Sequence, residues 1–382
     1  MTPRRTCATL LVLTCAALAH AAEKFEPKTL EIGAAAPDFK LKNVDDKEYS
    51  LANFKDAKLL TIVFTTNHCP TANAYEQRII DLHKEYTPKG VAVVAINPND
   101  PKAVRLDELG YTDVKDDFES MKIRAKEKNF AFPYLYDGDA QAAARAYGCQ
   151  ATPHVFVFDQ ERKLRYTGRI DDGEVKPPQN HDLRNALDAL LAGKTVPVEK
   201  TKVFGCSTKW SYKADEVKAY FAKVDAEPVE MSEIDAAGVK ALAKNETKEG
   251  ERGKLRVINV WATWCAPCIA ELPDFVEMNR MYRKRDFEFI TISMDEEDRR
   301  DRALKQLKDL KISSKNYILK VDGDRDAAMT NLDEKWEGPL PHTVIIAPGG
   351  KILYRNTGGI NPLEVRRVIV DYLGRTYAKK DS

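Results

Sequence analysis

LRVINVWATWCAPCIAELP, residues 255–273, runs from an apolar stretch through two cysteines, Cys265 and Cys268, into a segment with helical periodicity. Two thiols at i and i+3 on a strand-to-helix turn have a specific chemical use. The first sits where helix N-terminal amides and the macrodipole stabilise a thiolate. The second, one turn on, can close a disulfide with the first and so resolve a mixed disulfide formed with a substrate. Pro267 fits the first turn of that helix. Half of a zinc site would need a second close cysteine pair, and the chain has none. A buried structural disulfide is the other alternative. Glu271, one turn after Cys268, is either a proton carrier for the thiols or a solvated helix carboxylate.

The frame around Cys265 occurs twice. LLTIVF (59–64) aligns with LRVINV (255–260), and each run ends just before a cysteine, Cys69 or Cys265. Helical patterns follow, with Ile79, Leu82 and Tyr86 sharing a face in the first copy and Phe275, Met278 and Tyr282 sharing a face in the second. VAVVAI (91–96) and FEFITI (287–292) begin at the same offset from their cysteines. TPHVFVFD (152–159) matches LPHTVIIA (340–347), and a hairpin pattern and a last helix close each copy. Asn361, Pro362 and Gly374 supply the cap, first turn and stop of the final helix. Strands alternating with helices, then a hairpin and a helix, predict an α/β fold in two copies. The first copy carries extra sequence at 97–130. Residues 214–228 are the expected linker, either a short helix or a charged coil. The expected boundaries are 23–213 and 229–382.

Cys69 has Ala72 where the second motif has Cys268, so no CxxC exists there. FTTNHCPTANAY (64–75) instead places Thr66 three residues before Cys69. A thiolate at a helix N-terminus can attack a peroxide oxygen, and a threonine hydroxyl so placed can hold that oxygen. The resulting sulfenic acid then needs a second thiol. Cys149, four residues before Pro153, is the first candidate for that thiol, and Cys206 in GCSTKW (205–210) is the alternative. Cys149 and Cys206 could instead form a structural disulfide, or one could be an inert buried thiol. His68 can stabilise a neighbouring thiolate or be a satisfied surface histidine. His154 and His342, each following a proline, share a position that suggests a role in the fold.

The N-terminus reads as a secretory signal at 1–22. Arg4 and Arg5 precede a short apolar run, and Ala19-His20-Ala21 provides small residues at the cleavage spacing. The run is shorter than the ~20 residues a membrane span needs. Export to the periplasm or cell envelope puts the chain where disulfides persist. Two cysteines leave with the leader, so Cys69, Cys149, Cys206, Cys265 and Cys268 cannot all pair within one molecule. A formal net charge of +1 gives no electrostatic reason for a nucleic-acid partner or a membrane surface. Neither a metal nor an organic cofactor is called for.

WATWCAPC, Glu271-Leu272-Pro273 and Leu340-Pro341 resemble the thioredoxin family, and within it the exported TlpA-like and ResA-like thioredoxins, over about residues 229–376. The resemblance implies a thioredoxin fold, Cys265 as nucleophile, Cys268 as resolver, and a cis peptide before Pro341. It also implies a glutamate at the position of Glu271 that tunes the thiols. Asn259 stands where cytosolic thioredoxins carry a buried acid. FTTNHCPTANAYEQR, VVAINPND, AYGCQATPHVFVFD and GCSTKW resemble a peroxiredoxin-like branch of the same superfamily over about residues 27–212. That implies Cys69 as a reactive thiol and Pro153 as the cis-proline. Ile62 departs from the proline of the peroxiredoxin pattern, and Arg145 and Arg169 are the candidates for its arginine.

The expected architecture is therefore two tandem thioredoxin-like folds, each a central mixed β-sheet flanked by helices. The expected activity is thiol–disulfide exchange, with possible peroxide reduction at Cys69. Protein thiol or disulfide clients follow from that chemistry. A membrane-bound electron donor and an apocytochrome c client are implied by resemblance only. Two other classes remain open: a copper or apoprotein carrier, and an interaction module without turnover.

Overall fold

The computed structural model describes residues 26–321 and 323–377; the signal read at 1–22 lies outside the described residues. In the first domain the strands are β1 (Leu41–Asn43), β2 (Glu48–Tyr49), β3 (Leu59–Phe64), β4 (Val91–Asn97), β5 (Tyr134–Tyr136), β6 (Ala151–Thr152), β7 (His154–Phe158), β8 (Leu164–Gly168) and β9 (Cys206–Ser207). Its helices are α1 (Pro70–Tyr86), α2 (Phe118–Glu127), α3 (Ala142–Tyr147) and α4 (Asp182–Leu191). The main sheet has the order β2-β1-β5-β4-β3-β7-β8. β3 lies at its centre, parallel to β4 and antiparallel to β7. Every residue of β3 is buried, as an uninterrupted apolar run covered on both faces should be. β6 and β9 form a separate antiparallel ribbon with Thr152 opposite Cys206.

Helix α5 (Ala214–Asp225) follows, with Val217 and Val224 buried, so this part of the expected linker is a packed helix. The second domain contains β10 (Ser232–Ile234), α6 (Ala236–Lys244), β11 (Leu255–Trp261), α7 (Ala266–Tyr282), β12 (Phe287–Ser293), α8 (Arg300–Asp309), β13 (Lys315–Leu319), α9 (Arg325–Met329), β14 (His342–Ile346), β15 (Ile352–Thr357) and α10 (Pro362–Leu373). Its sheet order is β10-β13-β12-β11-β14-β15. β11 is parallel to β12 and antiparallel to β14, the same arrangement as β3 with β4 and β7. The chain thus carries two domains, each built on a mixed central sheet flanked by helices.

The same local signals start the two central helices. Cys69 is the N-cap of α1 and Cys265 that of α7, and each is followed by a proline in the first turn. Both the Thr152–Pro153 and the Leu340–Pro341 bonds are cis.

The extra sequence between β4 and β5 ties the domains together. Val104 and Leu109 from this insertion are buried within the second domain's apolar core, beside α7 residues such as Met278 and Met281. Gly110 lies so close to the end of α7 that a Cβ there would stand 3.0 Å from the Met281 carbonyl oxygen. The Tyr282 hydroxyl donates to the Thr112 carbonyl at 2.9 Å. Lys115 pairs with Glu277 at 2.6 Å, and Arg375 with the buried Asp113 at 2.5 Å.

Candidate functional site

In the second domain, Cys265 and Cys268 are joined in a disulfide with their Cα atoms 5.3 Å apart. Cys268 is fully buried in the first turn of α7, and Cys265 is 5% exposed. Trp261 is buried at the end of β11, whereas Trp264 is 57% exposed immediately before Cys265. Glu271 is buried, not a solvated helix carboxylate. Its Oε1 accepts from the Asn259 side-chain amide at 2.8 Å, and its Oε2 accepts from the Ile360 backbone N–H at 3.0 Å. Burial pushes this carboxyl up to about 7 against the pull of those two hydrogen bonds. Asn259 also donates to Thr343, so strand, helix and the β14 region are joined through one amide. A carboxyl poised near neutrality one turn after Cys268 can accept or return a proton during exchange.

In the first domain, Cys69 is fully buried. Its sulfur accepts from the Ala72 backbone N–H at 3.4 Å and donates to the Thr152 carbonyl at 3.3 Å. Thr152 pairs with Cys206 in the β6–β9 ribbon, which places Cys206 among the groups that act on Cys69. Burial alone would raise the Cys69 thiol. The Cys206 thiol, the His68 charge and the Ala72 and Cys206 backbone N–H groups outweigh it and lower Cys69 to about 6. Cys206 is pushed up, first by its interaction with Cys69, then by burial and by the charge on Cys69.

Three expectations for this site change. Cys149 is the wrong cysteine to place first beside Cys69. Its sulfur lies in the apolar core, against the Ala151 carbonyl and the Thr208 hydroxyl, and burial raises it to about 12. The Cys69 neighbour is Cys206, because the ribbon sets Cys206 opposite the residue before Pro153. Thr66 does not offer a free hydroxyl to a bound oxygen. It donates to the Asp116 carboxylate and accepts from the Asn99 amide at 3.0 Å. Finally, Arg169 is paired with Asp182 at 2.7 Å, and Arg145 lies over the Trp210 ring.

His68 is buried, with Nδ1 2.5 Å from Asp116 Oδ2, so the surface reading of this histidine falls. His154 and His342 meet hairpin threonines, Thr167 at 3.1 Å and Thr357 at 2.9 Å. Asp116 and Asn99 were not legible from sequence; both come from the insertion, where no spacing rule relates them to Cys69. Tyr377 was missed as well. Its ring stacks edge-on against Tyr111 at 5.2 Å, and the Asn73 amide donates to the Arg375 carbonyl at 3.3 Å. The end of the second domain thereby lies over the first turn of α1. Burial and then the nearby Cys206 and Cys69 charges raise the Tyr377 phenol to about 12.

Among the described residues no group of three or more His, Cys, Asp or Glu side chains is arranged to hold a metal ion. No helix among them is long and apolar enough to cross a membrane.

Two sheets of this order, each with a cysteine capping the central helix, define a pair of thioredoxin-type redox domains. Residues 32–167 and 230–355 both match the AhpC/TSA family, and the chain belongs to that family. It is similar to the thiol-disulfide oxidoreductase ResA of Oceanobacillus iheyensis, 26% identical over 137 residues, or 36% of this chain and 58% of that protein. It is also similar to ResA of Geobacillus thermodenitrificans, 25% identical over 172 residues, or 44% of this chain and 88% of that protein. The chain spans 57–58% of the length of the first curated relatives it matches. Among solved structures, a hypothetical protein from Sinorhizobium meliloti 1021 is 35% identical, with 48% of this chain and 97% of that one covered, at a TM-score of 0.43. An uncharacterized conserved protein from Geobacillus kaustophilus is 38% identical, with 47% and 93% covered, at a TM-score of 0.43.

Proposed function

We propose that this protein is an exported thiol–disulfide oxidoreductase that works through Cys265 and Cys268, chiefly as a reductant of disulfide-bearing protein clients. The observation that carries this reading is the Cys265–Cys268 disulfide at the start of α7 with the buried Glu271 carboxyl one turn further on. In the reduced state the Cys265 thiolate attacks a client disulfide. One client sulfur leaves as a thiolate, which takes a proton from water, and a mixed disulfide forms. Glu271 takes the Cys268 proton, and the Cys268 sulfur attacks Cys265. The second client thiol leaves, and the pair closes as a disulfide. The client gains two electrons, and a dithiol donor must return them; a membrane-bound donor fits an exported reductant. The leader at 1–22 and domains at 23–213 and 229–382, joined through 214–228, complete this reading.

The test is insulin-disulfide reduction by the full chain with a dithiol donor, wild type beside Cys265→Ser. Loss of turnover in the variant is the expected result. Equal turnover would move the activity away from this pair. A lack of turnover in both would favour the carrier or interaction-module readings.

Peroxide reduction at Cys69 is a second reading, favoured by a sulfur lowered to about 6. The engagement of Thr66 with Asp116 weighs against it. Peroxide consumption by fully pre-reduced protein, wild type beside Cys69→Ser, decides between them. Fast loss confined to the wild type supports a peroxidase.

A further inference from the structure

Cys69 lacks the helix partner that Cys268 provides to Cys265, and a different set of groups surrounds it. Five donors converge on the buried Asp116 carboxylate. The backbone N–H groups of Asn67 and His68 reach Oδ1 at 2.9 and 3.1 Å. The Asn99 amide at 2.9 Å, the Thr66 hydroxyl and His68 Nδ1 reach Oδ2. A carboxylate with that many donors stays ionised although it is buried. It also fixes the imidazole, because Nδ1–H is committed to Asp116. The opposite nitrogen, Nε2, is buried and has no hydrogen-bond partner among the described residues. His68 is next to Cys69 in the chain, and after Asp116 the Cys69 sulfur is the main charge that favours its protonated form.

We propose that Asp116 holds His68 as an imidazolium, and that this imidazolium together with the Cys206 thiol keeps Cys69 as a thiolate. Asp116 and His68 are then positioning residues, and the insertion between β4 and β5 exists in part to deliver the carboxylate. The arrangement also supplies a proton. When the Cys69 thiolate attacks a disulfide, a new S–S bond forms and the old one breaks. The departing sulfur takes the Nε2 proton, so a thiol and a neutral imidazole result. Other ionisable groups face this cluster. Lys209, paired with Glu108 at 2.6 Å, opposes the imidazolium, while Glu108 also bears on Cys206. Tyr377 approaches Cys206 from the second domain, and the buried Tyr134 lies near Asp116.

This inference rests on reading Cys69 as a redox thiol, but its test needs no turnover. Pre-reduced full-length protein is alkylated with iodoacetamide across pH 4–10, and Cys69 is followed separately from the other cysteines by peptide mass spectrometry. In Asp116→Asn and His68→Gln the midpoint for Cys69 should rise by at least about one pH unit, which lowers its rate at pH 6 by roughly fivefold or more. Asp116→Glu should restore part of the shift. Because loss of a buried carboxylate can unfold the domain, thiolate absorbance of the wild type is titrated in parallel. The His68 ring resonance followed by NMR should remain that of the protonated imidazole through the Cys69 ionisation. An unchanged midpoint in both folded variants, or a neutral His68 while Cys69 is ionised, would overturn the proposal. A failure of peroxide or insulin turnover would leave it standing.

Discussion

The two domains place a cysteine at the same point, the N-cap of the helix that follows the central strand, and then surround it differently. Cys265 has its partner on its own helix, one turn on. Cys69 has its nearest thiol on a short ribbon that returns after α4, and its charge partners come from His68 and a distant aspartate. The proton-handling groups differ too. Glu271 is a buried carboxyl raised to about 7, whereas Asp116 is a buried carboxylate lowered to about 2 by the charge and hydrogen bonds of its donors, against its burial. Burial raises an acid with two donors and fails to raise one with five. A helix N-cap thus makes a thiol reactive in principle, and the groups delivered to it from elsewhere decide which chemistry it suits.

The sharpest way to break this comparison is to remove the second-domain nucleophile. Cys265→Ser should reduce insulin-reducing turnover by about a hundredfold or more, because no exchange begins without the attacking sulfur. If the rate holds, the Cys69 site carries the activity and the contrast between the sites reverses.

Glu271→Gln should lower turnover by roughly tenfold to a hundredfold and flatten its pH profile near neutrality. The same substitution changes stability in a defined direction. A carboxyl whose pKa rises from 4.5 unfolded to about 7 folded binds more protons in the native state across that interval. Its contribution is therefore complete below 4.5 and is lost as pH rises through 7. Chemical denaturation of the wild type should show stability falling over this window, and the Gln variant should lose that slope.

Cys206→Ser tests the ribbon. It should prevent any Cys69–Cys206 disulfide on mild oxidation. Cys149→Ala should leave oxidation at Cys69 unaltered and cost only ~1–2 kcal/mol of stability, read from the denaturant midpoint. The reverse pattern would restore Cys149 as the partner. The smallest effect expected is at the domain junction. Tyr377→Ala should raise the alkylation rate of Cys69 by a few fold by uncovering the first turn of α1. An unchanged rate would mean that the second domain's end does not limit access.

The repeat was legible because strand–cysteine–helix order, apolar runs and cap residues are local. Proline punctuation supported it, because Cys69-Pro70, Cys265 with Pro267 and Asn361-Pro362 mark helix starts. The CxxC pair was legible for the same reason, since its chemistry is contained within one helical turn. The environment of Cys69 was not. Asp116 reaches His68 from 48 residues away, and on a linear chain Cys149, four residues before Pro153, looks better placed than Cys206. Only the antiparallel register of Thr152 with Cys206 separates them.

By itself, then, the sequence determined two α/β copies, the turn that carries each cysteine, and the dithiol of the second copy. Short-range spacing and hydrophobic period specify these features. The tertiary structure decided which thiol acts on Cys69, that Thr66 serves Asp116, that Glu271 is buried, and that the insertion and the residues after the last helix tie the domains together. Each of those outcomes depends on which distant groups are brought into a site from which water is excluded, where burial and pairing set the charge of every acid and thiol.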